Sequence, residues 1–137
     1  MTAWQQNLRR RFDRAAAGYD ALAQLQQQSA QRLLMALQPV LASSPKPLNI
    51  LDVGSGTGWL IKQLQAAQPS AWCCALDLSE GMLRSPSAGA NERVQRVCAD
   101  ASVLPMASSA FDLVVSNFAL HWCDDPLQVL NELHRVC

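Results

Sequence analysis

Four polar residues each close an apolar run in this chain. Asp52 follows "LNIL", Asp77 ends "AWCCALD", Asp100 ends "RVQRVCAD", and Asn117 stands within "FDLVVSNFAL". Between the first two lies "DVGSGTGWL", with Gly54, Gly56 and Gly58 at alternate positions around Ser55. Carboxylates accept hydrogen bonds from hydroxyl and amino groups, and glycines let a backbone turn sharply and approach a ligand closely. Residues of these types, spaced in this way, suit a cofactor that carries hydroxyls and amines.

What the glycine loop holds has three candidate answers: a triphosphate, a dinucleotide pyrophosphate, or a cofactor without phosphate. A triphosphate loop needs a lysine and a hydroxyl residue after its second glycine, and this loop has neither. A dinucleotide fingerprint needs a third small residue five positions after Gly54, where helix and strand pack closely; here that residue is Trp59. The pattern G-x-G-x-G instead opens the backbone to a flat or zwitterionic group. Asp77 at the end of the second apolar run suits ribose hydroxyls, as in any adenosine cofactor. Asp100 suits an adenine amino group, or else serves as a turn residue before "ASVLP".

These residues need elements to hold them. "LNILDV" predicts a buried strand, Gly58 to Gln68 a helix stopped by Pro69, and "AWCCALD" a second strand. Ser79 predicts the cap of a short helix through Met82 and Leu83, ended by "RSPSAGAN". "RVQRVCAD" predicts a third strand and Phe111 to Leu120 a fourth. Asp125 and Pro126 start a helix with Leu127, Leu130 and Leu133 on one face. Strands alternating with helices imply a parallel sheet covered on both faces, with ligands at the carboxyl ends of its strands. Ahead of it, Leu22, Leu25, Leu33, Leu34, Leu37 and Leu41 have the spacing of one helical face, and "SSPKP" separates that leading region from the rest.

At 137 residues the length fits one domain. No apolar run is long enough to span a membrane, and the start "MTAWQQNLRRRF" has no apolar core after its charges. A soluble, cytoplasmic protein without nucleic-acid or membrane partners is expected. Its five cysteines, Cys73, Cys74, Cys98, Cys123 and Cys137, have no C-x-x-C or metal spacing and read as buried thiols in a reducing compartment. Net charge is zero, yet residues 1–47 hold six basic and two acidic residues while residues 48–137 hold five and nine. A basic leading arm, with Arg9, Arg10, Arg11 and Arg14, can meet an acidic partner.

The ordered set "ILDVGSGTG", "ALDLSEGML", "CADASVLP" and "FDLVVSNFALHW" resembles the motifs of class I methyltransferases that use S-adenosylmethionine. That resemblance implies a Rossmann-like α/β fold preceded by N-terminal helices. It implies that Asp52, Gly54, Ser55 and Gly56 belong to the loop at the methionine part, that Asp77 holds the ribose and that Leu78 lies against adenine. It sets Asp100 and Ala101 at the adenine edge and Asn117 near the methionine amino group. The chain then divides into a helical cap, residues 1–47, and a cofactor-binding half, residues 48–137.

The leading segment "RRFDRAAAGYDALAQLQQQSAQRLL", with "SNFALHWCDDP" and "NELHRV", is similar to the malonyl-[acyl-carrier protein] O-methyltransferases of biotin synthesis. The implied reaction is methyl esterification of the free carboxylate of a malonyl thioester, carried on acyl-carrier protein or coenzyme A. A carboxylate is already ionised at neutral pH, so no general base is needed and no residue is assigned as catalytic. His121 then reads as a loop histidine without a chemical duty. Tyr19, in "AAAGYD", matches the position where the family's leading segment folds over the cofactor; it closes the cavity or anchors the first helix.

Relative to that family the chain stops at Cys137 with four of seven strands, and Pro86 and Gly89 interrupt a region where a longer helix is usual. Two alternatives follow: a truncated, non-catalytic nucleoside-binding or interaction protein, or a methyltransferase for another small acid or a quinone precursor. The fourth strand, as an apolar edge, is expected to recruit another chain and cause self-association.

Overall fold

The computed structural model, which describes residues 1–85 and 91–137, begins with helices that end at Ser43, and the first strand starts at Asn49. Helix α1, Ala3–Ala15, starts at a capping box: the Gln5 N–H donates to Thr2 Oγ1 while the Gln5 side chain accepts from the Thr2 N–H. A 3-10 turn, Ala16–Gly18, leads into the short α2, Tyr19–Leu22, and then α3, Gln24–Ser43. The buried side of α3 runs through Ala30 and Leu41, with Leu33, Leu34 and Leu37 partly covered. Leu22 and Leu25 do not belong to it and are 87% and 61% exposed. Leu22 precedes Ala23, which leaves helical geometry (φ −89°, ψ 31°), and Leu25, although inside α3, falls at about 100° per residue on the side of that helix away from Ala30 and Leu41.

Next come β1 (Asn49–Val53), α4 (Trp59–Ala67), β2 (Trp72–Asp77), α5 (Glu80–Leu83), β3 (Val94–Cys98), β4 (Leu113–Val115) and α6 (Pro126–Val136). The strands pair in parallel in the order β3-β2-β1-β4, with Ile50 opposite both Cys73 and Leu113. Strand side chains alternate between faces. Ile50, Cys73, Ala75 and Val115 therefore pack with Leu60, Ile61 and Leu64 of α4 and with α3, while Leu51, Val53, Cys74 and Leu76 pack with Val136 of α6 and Leu104. This is the expected α/β sheet with helices on both faces. Ser79 caps α5 and Asp125 caps α6 as expected, accepting from the Met82 and Gln128 N–H groups.

Two expectations change. The run from Phe111 to Leu120 pairs as a strand only over Leu113–Val115. Beyond it the Ser116 hydroxyl donates to the Val53 carbonyl, Phe118 adopts a left-handed φ of 55°, and Leu120–Trp122 forms a 3-10 turn. A β ladder cannot continue through such a residue. Of the cysteines, Cys73 and Cys74 are buried but Cys98 and Cys137 are exposed and Cys123 is half-buried. Cys98 lies on β3, an outer strand on which Gln95, Arg96 and Cys98 are exposed and Val94 and Val97 are half-buried. The interruption at Pro86 and Gly89 lies outside the described residues.

Candidate functional site

Where β1 ends, the chain must turn from strand to helix within five residues, and it does so through three left-handed glycines: Gly54 (φ 74°), Gly56 (φ 55°) and Gly58 (φ 81°). L-residues with a β-carbon adopt this region only at a cost. A β-carbon at Gly54 would collide with that of Ala119, whereas the space beside Gly56 is open. The loop's own N–H groups are largely spent. Gly54 and Ser55 donate to the Leu76 carbonyl at 2.8 and 3.0 Å, Gly56 to Asp77 Oδ2 at 2.8 Å, and Gly58 to the Ser55 carbonyl at 2.9 Å. A phosphate seat needs such N–H groups free and converging.

Beside this loop sit two acids, Asp52, which is buried, and Asp77, which is half-buried. Asp52 is 2% exposed, and no hydrogen bond from a described residue reaches its carboxyl; burial first, and then the charge of Asp77, push its pKa up to about 7. Asp77 is also pushed up by burial, a rise that hydrogen bonds from the Ser79 and Gly56 N–H groups oppose. The Ser55 hydroxyl oxygen is buried and has no hydrogen-bond partner among the described residues. Buried polar groups are ordinarily satisfied. A carboxyl and a hydroxyl left without partners among the described residues, beside an open glycine, therefore fit a ligand that brings a cation and hydrogen-bonding groups of its own.

The other wall comes from the leading helices. Phe12 of α1 makes edge-on contacts with Tyr19 and with Trp122, at 6.5 and 5.6 Å between ring centres. Burial, followed by the charges of Asp77 and Asp20, raises the Tyr19 phenol's pKa. Thr57 of the loop donates to Asp20 of α2 at 2.5 Å, and Gln5 of α1 donates to Asp100 Oδ2 at 2.7 Å. The Asn117 amide donates to the Gln26 carbonyl on α3.

All ten residues singled out from the sequence, Tyr19, Asp52, Gly54, Ser55, Gly56, Asp77, Leu78, Asp100, Ala101 and Asn117, line a single cavity of about 410 Å³. That volume falls in the range of small-molecule sites. His121 does not line it, while Trp122 does. Sequence reasoning missed the cap residue Thr2, Gln5, Leu8 and Phe12 of α1, and Phe118, which also contribute to the wall. The signal for α1 was present in the Thr2–Gln5 capping box, and Leu8 and Phe12 are one turn apart.

The model of a methyltransferase domain matches residues 51–137. The chain belongs to that methyltransferase domain family. Among curated proteins it is similar to malonyl-[acyl-carrier protein] O-methyltransferase of Gallionella capsiferriformans (strain ES-2), with 39% identity over 94% of this chain and 46% of that protein. The enzyme of the same name from Methylococcus capsulatus is 41% identical over 91% of this chain and 45% of its own length. The chain thus spans about half the length of the curated relatives it matches. Among solved structures it resembles an S-adenosylmethionine dependent methyltransferase from Mesorhizobium loti, with 33% identity, a TM-score of 0.57, and coverage of 74% of this chain and 48% of that one. A SAM dependent methyltransferase from Aquifex aeolicus shares the fold, at 23% identity and TM-score 0.63 over 79% and 57% of the two chains. No helix among the described residues is long and apolar enough to cross a membrane.

Proposed function

We infer that this methyltransferase chain binds S-adenosylmethionine and serves the methyl esterification of a malonyl thioester, with malonyl-acyl-carrier protein or malonyl-CoA as acceptor. One observation carries the cofactor reading: the ten expected residues line a single cavity whose glycine loop has spent its N–H groups internally. The acceptor reading is supported by the names of the curated relatives, each about 40% identical over most of this chain.

In this reading Asp77 accepts from the ribose hydroxyls, Leu78 packs on adenine, and Asp100 with Ala101 meets the adenine edge. Gly54 and Gly56 line the methionine portion, while Asp52, Ser55 and Asn117 lie toward its polar groups. Tyr19 covers the cavity from the cap, residues 1–47, above the cofactor-binding half, residues 48–137. When bound, the cofactor supplies an electrophilic methyl group. The malonyl carboxylate is ionised at neutral pH and needs no proton removed. The protein's work is alignment and exclusion of water, and orientation of this kind is worth up to about 7–11 kcal/mol. The proposed setting is the cytoplasm, without nucleic-acid or membrane partners.

Calorimetric titration with S-adenosylhomocysteine tests the cofactor reading. Binding is expected, Asp77→Ala should weaken it by about 1.5–3 kcal/mol, as for hydrogen bonds to a charged group, and excess NAD or ATP should not compete. Effective competition by NAD would replace the reading with a dinucleotide site. Methyl transfer to malonyl-CoA but not to acetyl-CoA, which lacks the free carboxylate, tests the acceptor.

A further inference from the structure

Asp13 sits in the last turn of α1, outside every motif tied to the cofactor, and its carboxylate does not face solvent alone. Its Oδ1 accepts from the Ser79 hydroxyl at 2.6 Å and from the Gly81 N–H at 2.9 Å. Ser79 is completely buried, and its own N–H donates to Asp77 Oδ1 at 2.8 Å. Asp77 Oδ2 in turn takes the Gly56 N–H. A continuous series of hydrogen bonds therefore runs from the leading helix through Ser79 to the acid at the centre of the cavity and on to the glycine loop.

The approach that makes this possible depends on a glycine. A β-carbon at Gly81 would stand 2.9 Å from the Asp13 Cα, 2.9 Å from its Oδ1 and 3.2 Å from its carbonyl oxygen, too close for any side chain. Arg9 reinforces the junction from the same helix, with its guanidinium 3.8 Å from Asp13 and 3.9 Å from Glu80. Gln5, Leu8 and Phe12 of α1 wall the cavity that Asp77 also lines.

We propose that Asp13 is a positioning residue: by accepting from Ser79 and Gly81 it latches α1 over the cavity and, through Ser79, fixes the orientation of Asp77. The inference rests on the cofactor reading above only for the identity of the ligand. It does not make Asp13 a ligand contact. Ser79 is the relay, because the side chain that meets Asp13 and the N–H that meets Asp77 belong to one residue, so release of the hydroxyl frees the backbone that holds the acid.

The test compares wild type with Asp13→Ala, Asp13→Asn and Gly81→Ala. Asparagine keeps an oxygen that accepts both bonds, while Gly81→Ala leaves the carboxylate intact and pushes α1 away. Amide exchange without ligand should be faster at Gly81 and across α1 in Asp13→Ala and Gly81→Ala, and close to wild type in Asp13→Asn. S-adenosylhomocysteine affinity should fall about tenfold in the first two, the loss of roughly one charged hydrogen bond, with Asp13→Asn restoring most of it. In an Asp77→Ala background, Asp13→Ala should cost much less, since groups that act through one another are not additive. Full additivity, or exchange and affinity unchanged in both disruptive variants, overturns the proposal. If wild type fails to bind S-adenosylhomocysteine, the cofactor reading falls, and the exchange rates alone then decide whether Asp13 latches α1.

Discussion

Asp52 has the environment in which charge is most expensive: it is buried, it lies near a second acid, and no described residue donates to it. Its carboxyl therefore keeps its proton to about pH 7, against an ordinary value of 3.8. Between those pH values the folded protein binds a proton that the unfolded chain has released, so folding stability should fall as pH rises through that window and level off above it. A ligand carrying a cation near Asp52 favours the ionised carboxylate. Its affinity should consequently rise over the same window and flatten above about 7, by at most tenfold per pH unit for a single coupled proton. Asp52→Asn is expected to reduce both slopes, read by denaturant titration and by calorimetry with S-adenosylhomocysteine across that range. The position of Asp52 was legible from its place at the end of an apolar run. Its protonation was not, because that depends first on burial and then on Asp77, which lies 25 positions away in sequence and is brought near by pairing of β1 with β2.

At the scale of elements, the strand-glycine-helix unit was legible because local rules agreed. An apolar run, alternate glycines and a proline stop each predicted the same turn from β1 to α4. The glycines are not equivalent in cost, however. Gly58 caps α4 at φ 81°, so Gly58→Ala should destabilise the fold by about 1–2 kcal/mol, the penalty for a left-handed L-residue. Gly18 has an ordinary φ of −114° with open space around it, so Gly18→Ala should be neutral or stabilise by about 0.4–1 kcal/mol through loss of unfolded-chain entropy. Urea midpoints for the two variants, with unchanged slopes, measure this difference. Elements that depend on distant partners were less legible. Leu22 precedes the break at Ala23 while Leu25 lies on the outer side of α3 itself, and β4 ends at Val115, where Ser116 donates to Val53, five residues before the end of the run Phe111 to Leu120. In α1, a helix start could be read from Thr2 and Gln5, but nothing local says that the helix lies over Asp100 and Ser79.

For the whole molecule, the sheet order has one consequence that concerns association. β4 pairs with β1 on one side, and among the described residues no strand pairs with its other side. Unpaired strand edges template further pairing. Beside it α6 covers one face of the sheet through Leu133 and Val136 but leaves Leu127 and Leu130 68% and 48% exposed. The paired part of β4 spans three residues rather than ten, which limits the backbone hydrogen bonds that a second copy gains. Weak, reversible self-association is therefore expected instead of precipitation. In sedimentation velocity the weight-average mass should rise with concentration and return to that of the monomer on dilution. Leu127→Lys with Leu130→Lys separates the two surfaces: association that persists in this pair assigns it to the edge of β4, and association that vanishes assigns it to α6. A sedimentation coefficient independent of concentration would mean that three exposed ladder positions are too few to recruit a partner.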